Sequence, residues 1–332
     1  MNILVLDVAA SESGALTVLW EFCLSCEKDR ENHYFFCVGL PELEGAENTD
    51  VLRFPWVKKS WLHRIWFDQF YLGKLVREHH IDRVLSLQNM IPGDPPCEKW
   101  VYLHQSIPFV ETNFPLTKYP KLWVYRHIIG RMICASLRKA DKVIVQTQWM
   151  KVACAKRAGI DPSKVEVQPL PLNSGAVYRC EDRSKARSCL FYPATPFVYK
   201  NHMLLLRALK ILKERGDAKI PHLTLTLTGE ENGLAAKLRR FAKENMLPVC
   251  FAGYLPRQEV LERYAHSTLI FPSYVETVGL PLMEARLSGA PILASDCAFS
   301  HEMLDGYDGV GFFDPFDAED CAAAIQNLSG GP

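Results

Sequence analysis

This 332-residue sequence predicts two consecutive α/β domains, each a doubly wound parallel sheet. Short apolar runs alternate with helical stretches, joined by brief connections, along almost the whole chain. The rhythm breaks once, at residues 169–188, where Pro169 and Pro171 precede the polar run Cys180 to Lys185, and then it restarts. The length is that of two domains, and 48% hydrophobic with 11% aromatic residues suffices for two cores. The expected boundaries are a first domain over 1–170, a linker over 171–188 and a second domain over 189–332.

Asn2 to Val8 is a continuous apolar run around Asp7, followed by small residues to Gly14 and a helix from about Ala15. This strand–loop–helix start lacks the full G-x-G-x-x-G pattern, which argues against a dinucleotide site there. His33 to Val38, Val51 to Phe54, Arg83 to Leu87, Trp100 to His104, Lys142 to Gln146 and Val165 to Gln168 read as strands. Helices are expected over Trp61 to His80, near 120–139 and over 148–158. In the second half the strands are Cys189 to Tyr192, Leu223 to Thr228, Val249 to Phe251, Ser267 to Phe271, Ala290 to Ala294 and Val310 to Phe313. Helices over 201–215, 233–245 and 257–265, a short one opened by Gly279 and a last one from Asp317 lie between or after them.

Formal net charge is zero, so no global field points to nucleic acid. The charge is uneven, however. Arg53 to His80 holds six Lys/Arg against two acids, Lys118 to Lys142 seven against one, and Asp296 to Asp320 eight acids with no Lys or Arg. Eleven cysteines lie scattered without a disulfide framework. Cys23 and Cys26 form a single C-x-x-C on a predicted helix with no second pair, short of the four ligands a zinc site needs. Free thiols in a reducing cytosol are the expectation. Met1 leads straight into the first strand, so no signal peptide is expected, and no apolar run approaches the ~20 residues that span a bilayer. The expected location is cytoplasmic.

The stretch with the most chemistry is Phe271 to Ala285. A buried strand ends at Phe271, a loop carries Glu276, and Gly279 opens a helix with Pro281 in its first turn, where a missing N–H does no harm. Gly289 stops that helix before the next strand. A loop at the carboxyl end of a parallel strand that runs into a helix N-terminus suits an anion. Glu276 before those donors and Glu284 on the helix would flank a phosphate with two acceptors for hydroxyls. A diphosphate between hydroxyl-bearing groups describes a nucleotide sugar.

Glu276, seven residues, then Glu284, with Val278-Gly279-Leu280-Pro281 between, resembles the E-x7-E signature of retaining GT-B glycosyltransferases, specifically glycosyltransferase family 4. The resemblance covers essentially the whole chain and is strongest from about residue 186. It implies two Rossmann-like domains facing a central cleft. It also implies roles. Glu276 would take the donor sugar's hydroxyls and Glu284 the ribose hydroxyls, with Thr277, Val278, Gly279 and Leu280 supplying N–H groups to phosphate. Lys200 matches the family lysine that stabilises the leaving phosphate. The arginine usually six residues earlier falls at Ala194, a departure that removes a contact worth on the order of 2 kcal/mol and leaves Lys200 to act alone or with a helper such as Asn201. His104 resembles the first-domain histidine at the donor sugar, and Gly14 the glycine near phosphate or acceptor. Gly229 with Glu230 resembles the loop near the nucleotide, and Gly253 with Tyr254 the segment beside the base. No Asp-x-Asp occurs, so neither metal nor cofactor is expected beyond the nucleotide-sugar co-substrate.

On the helix 61–80, Leu62, Ile65, Trp66, Gln69, Leu72 and Val76 share the face expected to pack on the sheet. His63, Phe67, Phe70, Tyr71 and Lys74 form a second face, with Lys58 and Lys59 just ahead. Aromatic and basic groups together suit an anionic membrane surface or a lipid-linked acceptor. The expected activity is retaining, metal-independent transfer of a sugar to a glycan or lipid-linked acceptor, at the membrane periphery, in cell-surface polysaccharide or glycolipid synthesis. A nucleotide-sugar epimerase and a non-catalytic nucleotide-sugar-binding protein are the alternatives.

Overall fold

Apolar residues at every position from Ile3 to Leu6 bury β1 (Asn2–Asp7) on both faces, as only a central strand of a covered sheet can be. The structure, a computed structural model, describes residues 1–10, 13–40, 42–170, 178–217 and 219–330, by backbone alone at 13–15, 17, 21, 329 and 330. The chain divides into two units, Met1–Leu170 and Pro171–Pro332.

In the first unit β1 is followed by α1 (Ser13–Cys26), β2 (His33–Val38), β3 (Thr49–Arg53), α2 (Trp61–Trp66), α3 (Leu72–Glu78), β4 (Arg83–Ser86) and β5 (Glu98–Leu103). Then come α4 (Pro120–Val124), α5 (Gly130–Lys139), β6 (Lys142–Val145), α6 (Gln148–Ala158) and β7 (Val165–Val167). The seven strands are parallel, in the order β3-β2-β1-β4-β5-β6-β7. Alternation along β1 splits the core. Ile3 and Val5 join Leu19 and Cys23 of α1, while Leu4 and Leu6 join Phe67, Leu72 and Val76.

The stretch read as one helix over 61–80 is α2 and α3 joined by a π-turn at Phe67–Tyr71, and the face expected to pack on the sheet is wrong for its first half. Phe67 is 0% exposed, ringed by Phe54, Trp56 and Tyr71. Leu62, Ile65 and Trp66 are exposed instead, as is Phe70 at 68%. The π-turn adds one residue to the turn and so rotates the register by about 100° between α2 and α3. Leu72 and Val76 therefore pack as expected while the residues before the turn face outward. Lys58 also departs from the expected basic face, because its Nζ donates to the Ala10 carbonyl at 2.7 Å. A second π-turn, Tyr125–Ile129, joins α4 to α5.

The second unit runs α7 (Arg183–Ala186), β8 (Cys189–Tyr192), α8 (His202–Arg215), β9 (His222–Leu225), α9 (Gly233–Glu244), β10 (Val249–Phe251), α10 (Arg257–Tyr264) and β11 (Thr268–Phe271). It closes with α11 (Leu280–Ser288), β12 (Ile292–Ser295), α12 (Ala298–Met303), β13 (Val310–Phe313) and α13 (Ala318–Gly330). Its parallel strands are ordered β10-β9-β8-β11-β12-β13. Of the stretch read as a linker, 171–177 lies outside the described residues. The polar part is fastened to this unit: Asp182 caps α7, and Arg183 donates to the Gly289 carbonyl at 2.9 Å and pairs with Asp308.

Strand order reverses between β8 and β11, which are neighbours although some 75 positions separate them in sequence. In a doubly wound sheet the loops leaving such a pair at their carboxyl ends diverge and leave a crevice. Those loops are 193–201 and 272–279.

Candidate functional site

The two loops are stitched together by their own backbones. The phenol of Tyr192, at the end of β8, donates to the Lys200 carbonyl at 2.8 Å. The Tyr199 carbonyl accepts from the Tyr274 N–H at 3.1 Å and the Ser273 hydroxyl at 3.2 Å, and Ser295 Oγ donates to the Ser273 carbonyl at 2.6 Å. Lys200 thus ends a short 3-10 turn, Val198–Lys200, directly opposite the Glu276 loop. Its Nζ lies 2.5 Å from Glu276 Oε1, with the two side chains only 19% and 14% exposed. The expected helper for Lys200 is otherwise engaged: Asn201 adopts the left-handed conformation, and its amide donates to the carbonyls of Pro272 and Pro315. Asn201 ties loops together and does not offer its amide to a phosphate.

Gly279 caps α11 at φ +75°, a conformation a side chain would strain, and a Cβ there would meet Leu282 at 3.1 Å. Val275 and Val278 are buried and anchor the loop beneath it. At the start of α11 Pro281 has no N–H and Leu282 donates to the Gly279 carbonyl at 2.8 Å, so an anion next to Lys200 would find a cation and the Leu280 N–H, which has no acceptor within the helix.

Glu284 lies in the second turn of α11 and is 9% exposed. One carboxylate oxygen pairs with Arg257 Nη1 at 2.8 Å and the other accepts from the Tyr264 phenol at 3.2 Å. Burial pushes the Glu284 carboxyl above its ordinary value, and Arg257 and Tyr264 oppose that. Neither partner was foreseen from sequence, although a buried phenol must find an acceptor and Tyr264 on α10 is such a phenol.

The other expected nucleotide residues are not brought onto the Lys200–Glu276 pair. Gly229, at φ +87°, packs against Arg239, and exposed Glu230 pairs with that same Arg239 at 2.9 Å. The N–H groups of Thr228, Gly229 and Glu230 are all taken by the Glu231 carboxylate, which they hold below its usual range. Gly253, at φ +75°, donates to the Leu227 carbonyl, and the next side chain, Tyr254, stands in solvent.

In the first unit His104 follows β5. Its Nε2 donates to the Leu87 carbonyl at 2.8 Å, and its backbone N–H donates to Asn89 Oδ1 at 2.8 Å. This fixes the tautomer: Nδ1 carries the lone pair, and burial pushes the imidazole pKa down, keeping it neutral. Nδ1 is thus the ring atom left able to accept a hydrogen bond. Gly14 is the second residue of α1, and its surroundings lie outside the described residues. Of the expected membrane-facing residues, Lys59 and Phe70 are exposed, and exposed Lys74 pairs with Glu78 at 3.4 Å. Tyr71 is half-buried, and Phe67 belongs to the core. Cys23 and Cys26 are buried free thiols, and no group of three His, Cys, Asp or Glu among the described residues is placed to hold a metal ion.

The model of the family "Glycosyltransferase Family 4" matches residues 13–174, and that of "Glycosyl transferases group 1" matches residues 187–330. Among curated proteins, a D-inositol 3-phosphate glycosyltransferase of Nocardioides sp. is 27% identical over 212 residues, covering 57% of this chain and 46% of that protein. Sulfoquinovosyl transferase SQD2 of Arabidopsis thaliana is 34% identical over 86 residues, 25% of this chain and 17% of that protein. The chain thus matches less than half the length of these relatives. Among solved structures, sucrose-phosphate synthase of Thermosynechococcus elongatus aligns with a TM-score of 0.71 at 15% identity, over 98% of this chain and 89% of that one. Anabaena HepE in complex with UDP and glucose aligns with a TM-score of 0.67 at 16% identity, over 99% and 90%. With its seven- and six-stranded parallel sheets and two family models that between them span nearly its whole length, the chain belongs to glycosyltransferase family 4 and has the GT-B fold.

Proposed function

We propose that this chain is a retaining, metal-independent glycosyltransferase that moves a sugar from a nucleotide-diphosphate donor to a glycan or lipid-linked acceptor. The observation that carries the reading is the 2.5 Å Lys200–Glu276 pair beside the capped start of α11, at the reversal point of the second sheet. A sugar diphosphate would replace each half of that pair with a better partner. Its β-phosphate takes Lys200 and the Leu280 N–H, and its sugar hydroxyls take Glu276. Glu284 receives the ribose hydroxyls. The bond from the anomeric carbon to the phosphate oxygen breaks, and the acceptor oxygen bonds to the same face of that carbon. The acceptor's proton passes to the departing phosphate oxygen, so no protein nucleophile is required.

The exposed apolar side chains of α2 and its π-turn, Trp61, Leu62, Ile65, Trp66 and Phe70, together with Lys59, support a peripheral role at an anionic membrane. No helix among the described residues is long and apolar enough to cross a bilayer. Cell-surface polysaccharide or glycolipid synthesis on the cytoplasmic side is the setting we infer. The test is a thermal-shift screen with UDP-, GDP-, ADP- and dTDP-sugars, followed by NMR of the anomeric centre in the product formed with the stabilising donor. Retained configuration with a glycan or lipid-linked acceptor is expected. Inverted configuration would overturn the mechanism, and conversion of the donor sugar without any acceptor would indicate an epimerase.

A further inference from the structure

Glu284 is the better buried of the two motif acids, and both its oxygens are occupied by side chains of a single neighbouring helix, α10. Tyr264, the last residue of α10, is fully buried and holds one oxygen at 3.2 Å; its ring packs edge-on against Phe191 of β8 at 5.7 Å, so it cannot turn away. Arg257, the first residue of α10, holds the other oxygen at 2.8 Å from a side chain that is 65% exposed. One partner is fixed in the core and the other is free to move. A carboxylate placed in this way has one permanent bond and one exchangeable bond.

We propose that Arg257 is a positioning residue for the donor's ribose: it holds Glu284 ionised and in a single orientation before the donor binds, then yields its place on that carboxylate to a ribose hydroxyl. The proposal rests on the assignment of Glu284 to ribose made above. Its chemistry is simple. A ribose hydroxyl donates to a carboxylate, and a protonated carboxyl is a poor acceptor for it. Burial works against the ionised form of Glu284, and Arg257 is the first of the influences that restore it, ahead of Tyr264. The other elements packed on α11 supply little. β11 and β12 carry no ionisable side chain, and α12 carries His301, which is held by Asp296 at 2.6 Å, and Glu302. Removal of the Arg257 charge therefore leaves a buried carboxyl that takes up a proton at a higher pH than in the parent chain.

The experiment measures binding of UDP, GDP, ADP and dTDP by calorimetry between pH 5.5 and 8.5, for the parent chain and for Arg257→Gln, Arg257→Lys and Glu284→Gln. The exposure of Arg257 makes its variants safe for folding, and a melting curve of each confirms it. The expected result for the nucleotide that binds is a pH-dependent loss in Arg257→Gln, within threefold of parent at pH 8.5 and about three- to fivefold weaker at pH 5.5, as follows if the Glu284 carboxyl holds its proton about tenfold more tightly once the guanidinium is gone while the parent carboxyl stays largely ionised. Arg257→Lys, which keeps the charge, should restore most of the parent profile. A profile of Arg257→Gln that overlays the parent, while Glu284→Gln weakens binding, overturns the role of Arg257 and leaves the ribose assignment standing. Unchanged binding by Glu284→Gln overturns the ribose assignment itself, and binding by none of the four nucleotides overturns both. A uniform loss in Arg257→Gln at every pH would also overturn the proposal, because that is the signature of a direct ligand contact.

Discussion

Replacement of Lys200 by Met keeps an apolar stem of similar length and removes the ammonium that lies 2.5 Å from Glu276. With both side chains more than four-fifths buried, water screens the pair weakly, and a lone carboxylate is left without its cation. Breaking a fully buried pair costs about 3–5 kcal/mol; for this slightly open one, roughly 1–3 kcal/mol of stability is expected. The effect on ligand is separate. A lysine contact to phosphate is a charge-assisted hydrogen bond worth about 1.5–3 kcal/mol, so nucleoside-diphosphate binding should weaken roughly 10- to 100-fold. Glu276→Gln should do the opposite to the same ligand. It frees Lys200 from its internal partner, so the diphosphate binds at least as tightly, while sugar transfer falls by about 10²-fold or more because the sugar's hydroxyls lose their acceptor. Calorimetry with the nucleoside diphosphate, initial rates of its release from the sugar donor, and urea melts to verify folding give the three readouts. If Glu276→Gln weakens diphosphate binding as much as Lys200→Met does, the pair is a structural strut and not a phosphate site held in reserve.

Three further outcomes are expected. Phe67→Ala should cost about 3–5 kcal/mol in urea unfolding and Phe70→Ala under about 0.5, since the first side chain is sealed in the core and the second stands 68% exposed; equal losses would contradict the π-turn register. Trp66→Ser with Phe70→Ser should reduce co-sedimentation with phosphatidylglycerol vesicles without lowering the melting temperature, and undiminished sedimentation would remove α2 from the membrane reading. Asp7 is buried at the carboxyl end of β1, and burial, against the Ala10 N–H, Arg64 and Lys58, raises its pKa from 3.8 to about 6. The native state therefore holds the proton through a window where the unfolded chain has lost it, so stability falls as pH rises from about 4 to about 6, by roughly 3 kcal/mol in all. Asp7→Asn should abolish that fall and be the more stable form at pH 8, and an unchanged pH slope in the variant would refute the assignment.

The parallel sheets and most strands were legible because an unbroken apolar run such as Ile3 to Leu6 has few other uses in a folded chain. The two acids of the E-x7-E motif were legible because loop, glycine cap and helix stand next to one another in sequence. Their partners were not. Lys200 meets Glu276 only because β11 pairs with β8 across some 75 intervening positions, and strand order leaves no trace in local periodicity. Arg257 reaches Glu284 because α10 packs on α11, and the tie of Asn201 to Pro272 and Pro315 depends on the same tertiary arrangement. The face of the helix at 61–78 was misread for a local reason: periodicity extrapolates one phase along a helix, and the π-turn at Phe67–Tyr71 changes that phase midway.

Both motif acids share one arrangement, which bears on how a donor would enter. Each carboxylate is neutralised by a side-chain cation, Glu276 by Lys200 and Glu284 by Arg257, and each cation has a natural alternative partner in a phosphate or in solvent. Under the proposed function, donor binding is then an exchange of ion pairs and not the burial of fresh charge, so the large desolvation cost of a buried diphosphate is met in part by Lys200, a cation already largely desolvated in the fold. An arginine at position 194, where the family resemblance places one, would be a third cation in this region. Its replacement by Ala194, whose carbonyl accepts from His202, is consistent with a site that keeps its cations and carboxylates in balance before the ligand arrives.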